Sequence, residues 1–231
     1  MDFQNRTVIV TGGTGGTGAL GRAVAGALLA AGAQCRLSYL HEKEAASFPY
    51  KDRVTLIGPC DLTSEPDVAR LYEGVDRLWA SVHIAGGFAM SKLEDTGKND
   101  LMEMVNTNLV SCHLCSRAAV RAFRDGGRIV NVGARPGLEP RLGAGMSAYA
   151  ASKAAVIALT QAMAAELAPR DILVNAVVPS IIDTPANRAG MPKADHDSWP
   201  KPDQIAATIV FLASPDNQVT TGGAIPVSGR V

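Results

Sequence analysis

The chain has 231 residues, of which 47% are hydrophobic. Its 22 lysine and arginine residues are balanced by 22 aspartate and glutamate residues, so the chain lacks the excess of positive charge that nucleic-acid binding requires. We expect neither secretion nor a membrane span, because no charged leader precedes an apolar core and no apolar run reaches the roughly 20 residues that cross a bilayer. Four cysteines are too few for a disulfide framework in a chain of this length, and we therefore expect a cytoplasmic protein.

Short β-branched runs alternate with helical patterns along the chain. Strands are predicted near residues 6–11, 34–39, 53–58, 76–84, 127–133, 171–178 and 223–227. Helices are predicted near residues 19–31, 64–74, 99–124, 147–168 and 202–213. This alternation is typical of an α/β fold in which a doubly wound, seven-stranded parallel sheet carries helices on both faces. No domain boundary interrupts the pattern, so we predict a single domain over residues 1–231.

A glycine-rich turn follows the first predicted strand. Residues 11–21 read TGGTGGTGALG, and an alanine-rich helix comes after them. Strand, glycine loop and helix in this order form the dinucleotide-binding arrangement of a Rossmann fold, because glycines let the backbone approach a pyrophosphate and the helix N-terminus offers free N–H groups. A flexible loop without a ligand is the alternative, but the flanking elements favour a phosphate-binding loop.

Two features in the middle of the chain favour a structural role. Cys112 and Cys115 have the spacing of a redox or zinc motif, but they lie in an apolar helix that offers no second ligand pair. We interpret them as buried thiols on a packing face and predict no metal site. His83 ends a buried strand, and we interpret it as a core or cofactor-adjacent residue rather than as a base.

Tyr149 and Lys153 lie at the start of the predicted helix 147–168 and are candidate catalytic residues. Positions four apart share a helix face, which places the phenol beside the ammonium. A phenol donates a proton poorly at neutral pH, and an adjacent cation lowers its pKa. We therefore interpret Tyr149 as a general acid and Lys153 as the group that tunes its pKa, although the same spacing arises by chance on exposed helices.

Together, the glycine turn and the Tyr149–Lys153 pair resemble the short-chain dehydrogenase/reductase family over nearly the whole chain. The resemblance implies an NAD(P)-dependent oxidoreductase acting on a small molecule, with Lys153 also binding the cofactor ribose. The family's glycine motif fits in two registers, which we leave open. Thr11 with Gly12, Gly16 and Gly18 supplies all three glycines, whereas Thr14 with Gly15 and Gly21 supplies two and fits the spacing to the downstream Gly32 better. The cofactor contacts implied in this loop are Gly12, Thr14, Gly15, Thr17, Gly18, Leu20 and Gly21.

Other landmarks of the family follow in order. The resemblance implies that Asp61 and Leu62 contact the adenine, although a helix N-cap is an equally compatible role for Asp61. Asn108 matches the asparagine that holds a water relayed to the active-site lysine. The remaining implied cofactor contacts are Ala85 and Gly86 after the fourth strand, and Pro179, the Ile182 backbone and Thr184 after the sixth.

The chain departs from the family where a serine usually orients the substrate carbonyl. Gly133 and Ala134 stand there, and neither donates a side-chain hydrogen bond. Losing such a donor typically costs about 10²–10³ in rate, so Ser147 or a water would have to replace it. We therefore expect a substrate with a C=O or an activated C=N bond, of the imine or pterin type, rather than a simple ketone.

The segment after the sixth strand carries a narrower resemblance. Residues 183–195, followed by Trp199, are similar to the corresponding segment of dihydropteridine reductases, which also have Gly-Ala at the serine position. We predict that residues 183–202 form a lid over the nicotinamide. Asn187, Arg188, Asp195 and Trp199 either contact the substrate or form a self-packed lid with internal hydrogen bonds.

Cofactor choice depends on the end of the second strand. Tyr39 stands where an aspartate would accept from both ribose hydroxyls and repel a 2′-phosphate. Without that repulsion, we favour NADP(H) over NAD(H), with Ser38, His41 and Lys43 as candidate phosphate contacts. The rival interpretation is a catalytically weak NAD(P)-binding sensor or regulatory protein, which needs neither a catalytic tyrosine nor Asn108.

The resemblance also implies a homodimer or homotetramer assembled through the helices near 99–124 and 147–168. Small residues on these helices allow close packing between copies. Packing against the protein's own sheet is the alternative role of the same residues, which are Ala118, Ala119, Ala151, Ala155 and Ala158.

Overall fold

The strands of the computed structural model, which describes residues 1–14 and 19–230, form one parallel sheet. They are β1 (Thr7–Thr11), β2 (Gln34–Ser38), β3 (Thr55–Ile57), β4 (Leu78–His83), β5 (Gly127–Val132), β6 (Ile172–Pro179) and β7 (Ala224–Val227). Their order across the sheet is β3-β2-β1-β4-β5-β6-β7. This order reverses between β1 and β4, which is where open α/β sheets bind ligands. The predicted seven-stranded, doubly wound, single-domain Rossmann fold is confirmed.

Helices cover both faces of the sheet. They are α1 (Ala19–Ala30), α2 (Glu42–Ser47), α3 (Glu65–Tyr72), α4 (Lys98–Met104), α5 (Ser111–Ala122), α6 (Arg135–Leu138), α7 (Ser147–Leu167), α8 (Pro185–Gly190) and α9 (Pro202–Ala213). On one face, α1 and α9 bury Leu28 and Ile209 in a core that includes Val8. On the other, α3, α5 and α7 bury residues such as Leu71 and Leu167 in a second core. Parallel sheets require such covering on both faces.

The long helix predicted over 99–124 is present but is not uniform. Between α4 and α5, Val105–Val110 forms a π-helix. Asn108 lies within this wider turn and is buried. Hydrophobic periodicity does not reveal such a local change, because the flanking turns keep the helical pattern. Wider turns of this kind are frequent at functional sites.

Other differences are local. The sequence interpretation missed α2 and α6, and it assigned no helix to the segment that contains α8. Helices of four to six residues are too short to show a period of about 3.6 residues. β6 extends to Pro179, one residue past the predicted end. Among the described residues, no helix combines the length and apolar character needed to cross a bilayer.

Candidate active site

The glycine turn packs tightly against the carboxyl ends of β1 and β4. Gly12 has a φ of +67°, which L side chains rarely adopt, and a Cβ there would lie 2.5 Å from the backbone nitrogen of Ala85. Gly21 is equally confined, since its Cβ would lie 2.5 Å from the Cα of Gly13. The start of α1 is therefore drawn against the sheet edge, as the binding of a pyrophosphate at a helix N-terminus requires.

The two ends of the predicted loop lie within the part of the chain that the structure describes. Gly15, Thr17 and Gly18 lie outside the described residues, so the choice between the two registers stays a prediction. On the near side, the Thr14 hydroxyl donates to the carbonyl oxygen of Ser38 at 3.2 Å, which ties the loop to the end of β2. On the far side, Leu20 is buried in the first turn of α1.

Asp61 and Leu62 follow β3 as predicted for adenine contacts. Asp61 is exposed, and its Oδ1 accepts from the N–H and the hydroxyl of Thr63 at 2.9 and 2.7 Å. The N-cap alternative for Asp61 is wrong, because α3 begins at Glu65 and Ser64 is its N-cap residue. Leu62 packs partly buried against the second core.

A small cavity lies between the glycine turn and α2. Its volume is about 270 Å³, and its lining residues are Thr14, Arg22, Lys43, Glu44, Ser47 and Phe48. Tyr39 points elsewhere, because its hydroxyl donates to the carbonyl oxygen of Gly58 at 2.9 Å. The end of β2 therefore places cationic and hydroxyl side chains, and one carboxylate, beside the predicted adenosine position.

Helix α7 places Lys153 between the ends of β4 and β5. Lys153 is 5% exposed, and its ammonium donates to the carbonyl oxygen of Val132 at 2.9 Å. A Cβ on Gly86 would lie 3.2 Å from the Nζ of Lys153 and 2.5 Å from the Oδ1 of Asn108. The absence of a side chain at Gly86 therefore lets the backbone after β4 approach the Lys153 ammonium and the Asn108 amide closely.

Burial shifts the pKa values of Tyr149 and Lys153 in opposite directions. Loss of water raises the pKa of Tyr149 to about 12 and lowers that of Lys153 to about 8. The expected lowering of the Tyr149 pKa by Lys153 is wrong for this structure, since burial dominates and the ammonium bonds the Val132 carbonyl. Tyr149 is therefore protonated at neutral pH, which is the state from which a general acid acts.

Asn108 connects the π-helix with both neighbouring segments. Its Oδ1 accepts from the Gly87 N–H at 3.0 Å, and its Nδ2 donates to the Gly87 carbonyl and to the Ser152 hydroxyl, both at 3.1 Å. Ser152 in turn donates to the Tyr149 carbonyl at 2.8 Å. The Asn108 side chain therefore positions the backbone around the tyrosine, and the predicted water relay stays a prediction.

The segment after β6 carries the predicted nicotinamide contacts. Pro179 is the last residue of β6, and Thr184 is the buried N-cap residue of α8. The Thr184 hydroxyl oxygen accepts from the Asn187 N–H at 3.2 Å, and the Ile182 carbonyl accepts from the Asn187 side chain at 2.8 Å. Part of the hydrogen-bonding capacity of Ile182 and Thr184 is thus used within the segment.

Most of the predicted lid residues bond within the lid itself. Arg188 donates to both carboxylate oxygens of Asp183, at 2.6 and 2.9 Å. Trp199 is 4% exposed, with its ring 4.7 Å from that of His196. Of the two alternatives given by the sequence, these bonds favour the self-packed lid over direct substrate contacts.

The position of the usual serine is apolar. The Gly133 N–H donates to the Val177 carbonyl at 2.8 Å, and Ala134 is almost fully buried with only a methyl group to offer. Ser147 is exposed at the start of α7. Residues two apart do not share a helix face, so Ser147 does not lie beside Tyr149. A water at this place stays a prediction.

Sequence reasoning missed a buried hydrogen-bonded chain beneath the site. The Nδ1 of His83 lies 2.8 Å from Asn131 Oδ1, and its Nε2 lies 2.8 Å from the Ser81 hydroxyl. Ser81 is 2.7 Å from the Tyr72 hydroxyl, and Asn131 donates to Thr160 at 2.8 Å. Polar residues at alternate positions of buried strands were the signal in the sequence, because alternate residues share one face of a sheet.

The direction of this chain fixes the state of His83. The Thr160 hydroxyl donates to the Val156 carbonyl, so it accepts from the Asn131 amide nitrogen, and Asn131 Oδ1 must face His83. His83 therefore carries its proton on Nδ1, and Nε2 accepts from Ser81. Burial lowers the pKa of His83 to about 4, which agrees with this neutral ring. His83 is thus a structural residue, as the sequence favoured.

The two motif cysteines lie beside the same chain. Cys112 and Cys115 are buried on α5, and Cys115 packs in the second core. Burial raises the pKa of Cys112 to about 12, although the nearby Lys153 opposes the change. The thiols therefore stay protonated at neutral pH and pack as small apolar groups.

Comparison with known proteins agrees with this geometry. A family model described as "Enoyl-(Acyl carrier protein) reductase" matches residues 15–229. The chain is 30% identical to the 3-oxoacyl-[acyl-carrier-protein] reductase FabG of Vibrio harveyi, over 99% of this chain and 98% of the relative. It is also 29% identical to the cyclic-di-GMP-binding biofilm dispersal mediator protein of Escherichia coli, over 98% of this chain and 97% of that one.

Among solved structures, ElxO with NADP bound is similar to this chain. It has a TM-score of 0.87 and 26% sequence identity, and the match covers 97% of both chains.

Proposed function

This chain belongs to the short-chain dehydrogenase/reductase family and is an NAD(P)-dependent oxidoreductase, and we propose that Tyr149 protonates a substrate whose C=O or activated C=N bond is reduced. The cofactor supplies the hydride. The observation that carries the proposal is the pairing of a partly buried, protonated Tyr149 with Lys153 on one face of α7, where the ammonium bonds the Val132 carbonyl and lies close to the Gly86 backbone.

Each residue of the proposed site has a separate role in the reaction. Tyr149 gives its proton to the oxygen or nitrogen that gains charge as the substrate is reduced. Lys153 binds the cofactor ribose and, held by the Val132 carbonyl, keeps a positive charge near the phenolate left behind. Asn108 fixes the first turn of α7 against the end of β4 through Ser152 and Gly87. Exclusion of water by the segment 183–202 completes the proposed site.

The type of bond that is reduced is inferred from the side chains near Tyr149. Gly133 and Ala134 offer no side-chain donor for a carbonyl oxygen, and Ser147 is exposed away from Tyr149. A substrate that relies little on such a donor, such as an activated carbonyl or an imine-type C=N bond, fits this site better than a simple ketone.

NADP(H) is the cofactor we favour. The 270 Å³ cavity beside the glycine turn offers Lys43 and Arg22 together with two hydroxyls, which suits a 2′-phosphate. Glu44 in the same lining opposes this, so Lys43 is the residue to test. Lys43→Ala should raise the KM for NADPH and leave that for NADH unchanged, and an equal effect on both would contradict the assignment.

The experiment that tests the function measures oxidation of NADPH and NADH with a matched panel of ketones, imines and quinonoid pterins. Turnover that Tyr149→Phe removes, with cofactor affinity retained, supports the proposal. Turnover that survives Tyr149→Phe at the wild-type rate contradicts it.

Two observations favour a second candidate, a weakly catalytic NAD(P)-binding sensor. The missing oxyanion donor at Ala134 lowers the expected rate, and one relative carries the name of a cyclic-di-GMP-binding mediator protein. Tight NADPH binding without turnover of any panel member, together with binding of cyclic-di-GMP, is the result that would select this candidate.

Assembly is proposed from the surface of α7. Ala151 and Ala158 are exposed on it, and Ala155 is partly exposed, so a small-residue face is available to a second copy. Ala119 of α5 is instead fully buried against the protein's own sheet, as the alternative interpretation held. We propose a cytoplasmic homodimer formed through α5 and α7, which pairs further into a tetramer.

A further inference from the structure

The segment 87–91 after β4 is anchored at both ends. At one end, both backbone polar groups of Gly87 bond the Asn108 side chain. At the other, the Ser91 N–H donates to the Gly145 carbonyl at 2.9 Å. Between these anchors, Phe88 and Met90 are 61% and 64% exposed. Large apolar side chains held in solvent on a fixed backbone are typical of ligand-binding surfaces.

Phe88 lies directly against the proposed acid. Its ring centroid is 4.9 Å from that of Tyr149, and the two planes meet at 84°. This edge-to-face contact uses only part of the Phe88 ring, because most of its surface remains exposed. A free aromatic surface therefore stands beside the group that protonates the substrate.

The connections after β5 and β6 also expose apolar side chains. Leu138 and Leu142 lie between β5 and α7, and Ile181 and Met191 follow β6, with exposures from 36% to 47%. A Cβ on Gly143 would lie 2.7 Å from the Cβ of Ala150, so the connection before α7 packs on the turn that carries Tyr149.

Two cations of the same connections form ion pairs. Arg135 bonds Glu139 at 3.0 Å, and Arg188 bonds Asp183. The charges of these two side chains are therefore balanced by neighbouring carboxylates.

We propose that the substrate carries an aromatic ring next to the carbon that is reduced, and that Phe88 selects it by packing against that ring. This inference rests on the proposed reductase function and names its substrate class. Aromatic pairs contribute beyond the apolar area they bury, by an amount that corresponds to about a two- to tenfold preference. An aliphatic ring of equal size buries similar area without that contribution.

The test compares a phenyl substrate with its cyclohexyl counterpart in both the wild-type protein and Phe88→Leu, because the two compounds differ in intrinsic reactivity and that difference cancels between the variants. The ratio of kcat/KM for the phenyl compound to that for the cyclohexyl compound should be about two- to tenfold higher in the wild-type protein than in Phe88→Leu, which keeps an apolar side chain. Phe211→Leu is the matched control, because Phe211 is 43% exposed on α9 and should change neither value.

A binding measurement separates this inference from the function beneath it. Calorimetry with NADP present gives the dissociation constants of the phenyl and cyclohexyl alcohols for the wild-type protein and for Phe88→Leu. Weaker phenyl binding in Phe88→Leu supports the assignment of Phe88, even if no compound is turned over. A lack of turnover would contradict only the proposed reductase function. Equal phenyl and cyclohexyl values in the wild-type protein, unaffected by Phe88→Leu, overturn the inference and leave the reductase function intact.

Discussion

Replacing His83 with asparagine should make the protein less sensitive to acid. The imidazole is buried and neutral, with a pKa lowered to about 4 from a usual value of 6.5. Between these two values the unfolded chain binds the proton and the folded chain does not. The free energy of unfolding therefore falls as the pH falls from about 6.5 towards 4, and an asparagine at position 83 has no proton to bind.

The magnitude follows from the two pKa values. Protonation of the unfolded chain should remove about 2 kcal/mol of stability between pH 7 and pH 5. Other shifted groups change little in this interval. Asp183 has its pKa lowered from 3.8, and Lys153 titrates near 8, so both lie outside it.

The assay is urea denaturation of the wild-type protein and His83→Asn at pH 7 and pH 5. Each protein serves as its own reference, so a uniform loss of stability in the variant does not affect the comparison. His113→Asn is the control, because His113 is exposed on α5 and should preserve the wild-type difference between the two pH values. If His83→Asn loses as much stability as the wild-type protein between pH 7 and pH 5, the buried neutral histidine is not the cause.

The remaining predictions concern the reaction and the assembly. Tyr149→Phe should lower turnover by at least about a hundredfold and leave cofactor affinity nearly unchanged. Lys153→Ala should lower both turnover and cofactor affinity. Steady-state kinetics measure turnover, and NADPH titration measures cofactor affinity. Ala134→Ser should improve reduction of simple aliphatic ketones, because it supplies the missing hydrogen-bond donor. If the wild-type protein reduces such ketones efficiently and Ala134→Ser does not change the rate, the inferred preference for another electrophile is refuted. Light scattering at micromolar concentration should report a dimer or tetramer, and Ala158→Arg should shift it towards the monomer; a monomeric wild-type protein would refute the assembly.

The fold was predictable because it rests on repeated local signals. β-Branched runs and apolar helices alternate along the chain, and the right-handed crossovers that parallel strands require limit the possible arrangements of the sheet. The π-helix at Val105–Val110 was not predictable in this way, since its Asn108 bonds Gly87 and Ser152, which are far from it in sequence.

The candidate site was predictable in its identities but not in its electrostatics. Spacing of four residues placed Tyr149 and Lys153 together on α7, yet burial raises the pKa of Tyr149, and the Lys153 ammonium bonds the Val132 carbonyl. Burial depends on the segments that cover the helix, and no local pattern reports it. The internal bonds of Arg188 and Asp183 were likewise open to two interpretations until their geometry was known.

His83 and Ala134 lie at or just past the ends of the neighbouring strands β4 and β5, and they have different physical consequences. His83 pairs in register with Asn131, one residue before the Val132 carbonyl that holds Lys153. Its ring spans from Ser81 to Asn131, a distance that a shorter side chain at position 83 does not bridge, so His83 helps fix the strand that anchors the lysine. Ala134 lies past the end of the same strand and removes a donor without disturbing this anchor. His83 therefore acts on the stability and position of the site, whereas Ala134 acts on which electrophile the site accepts.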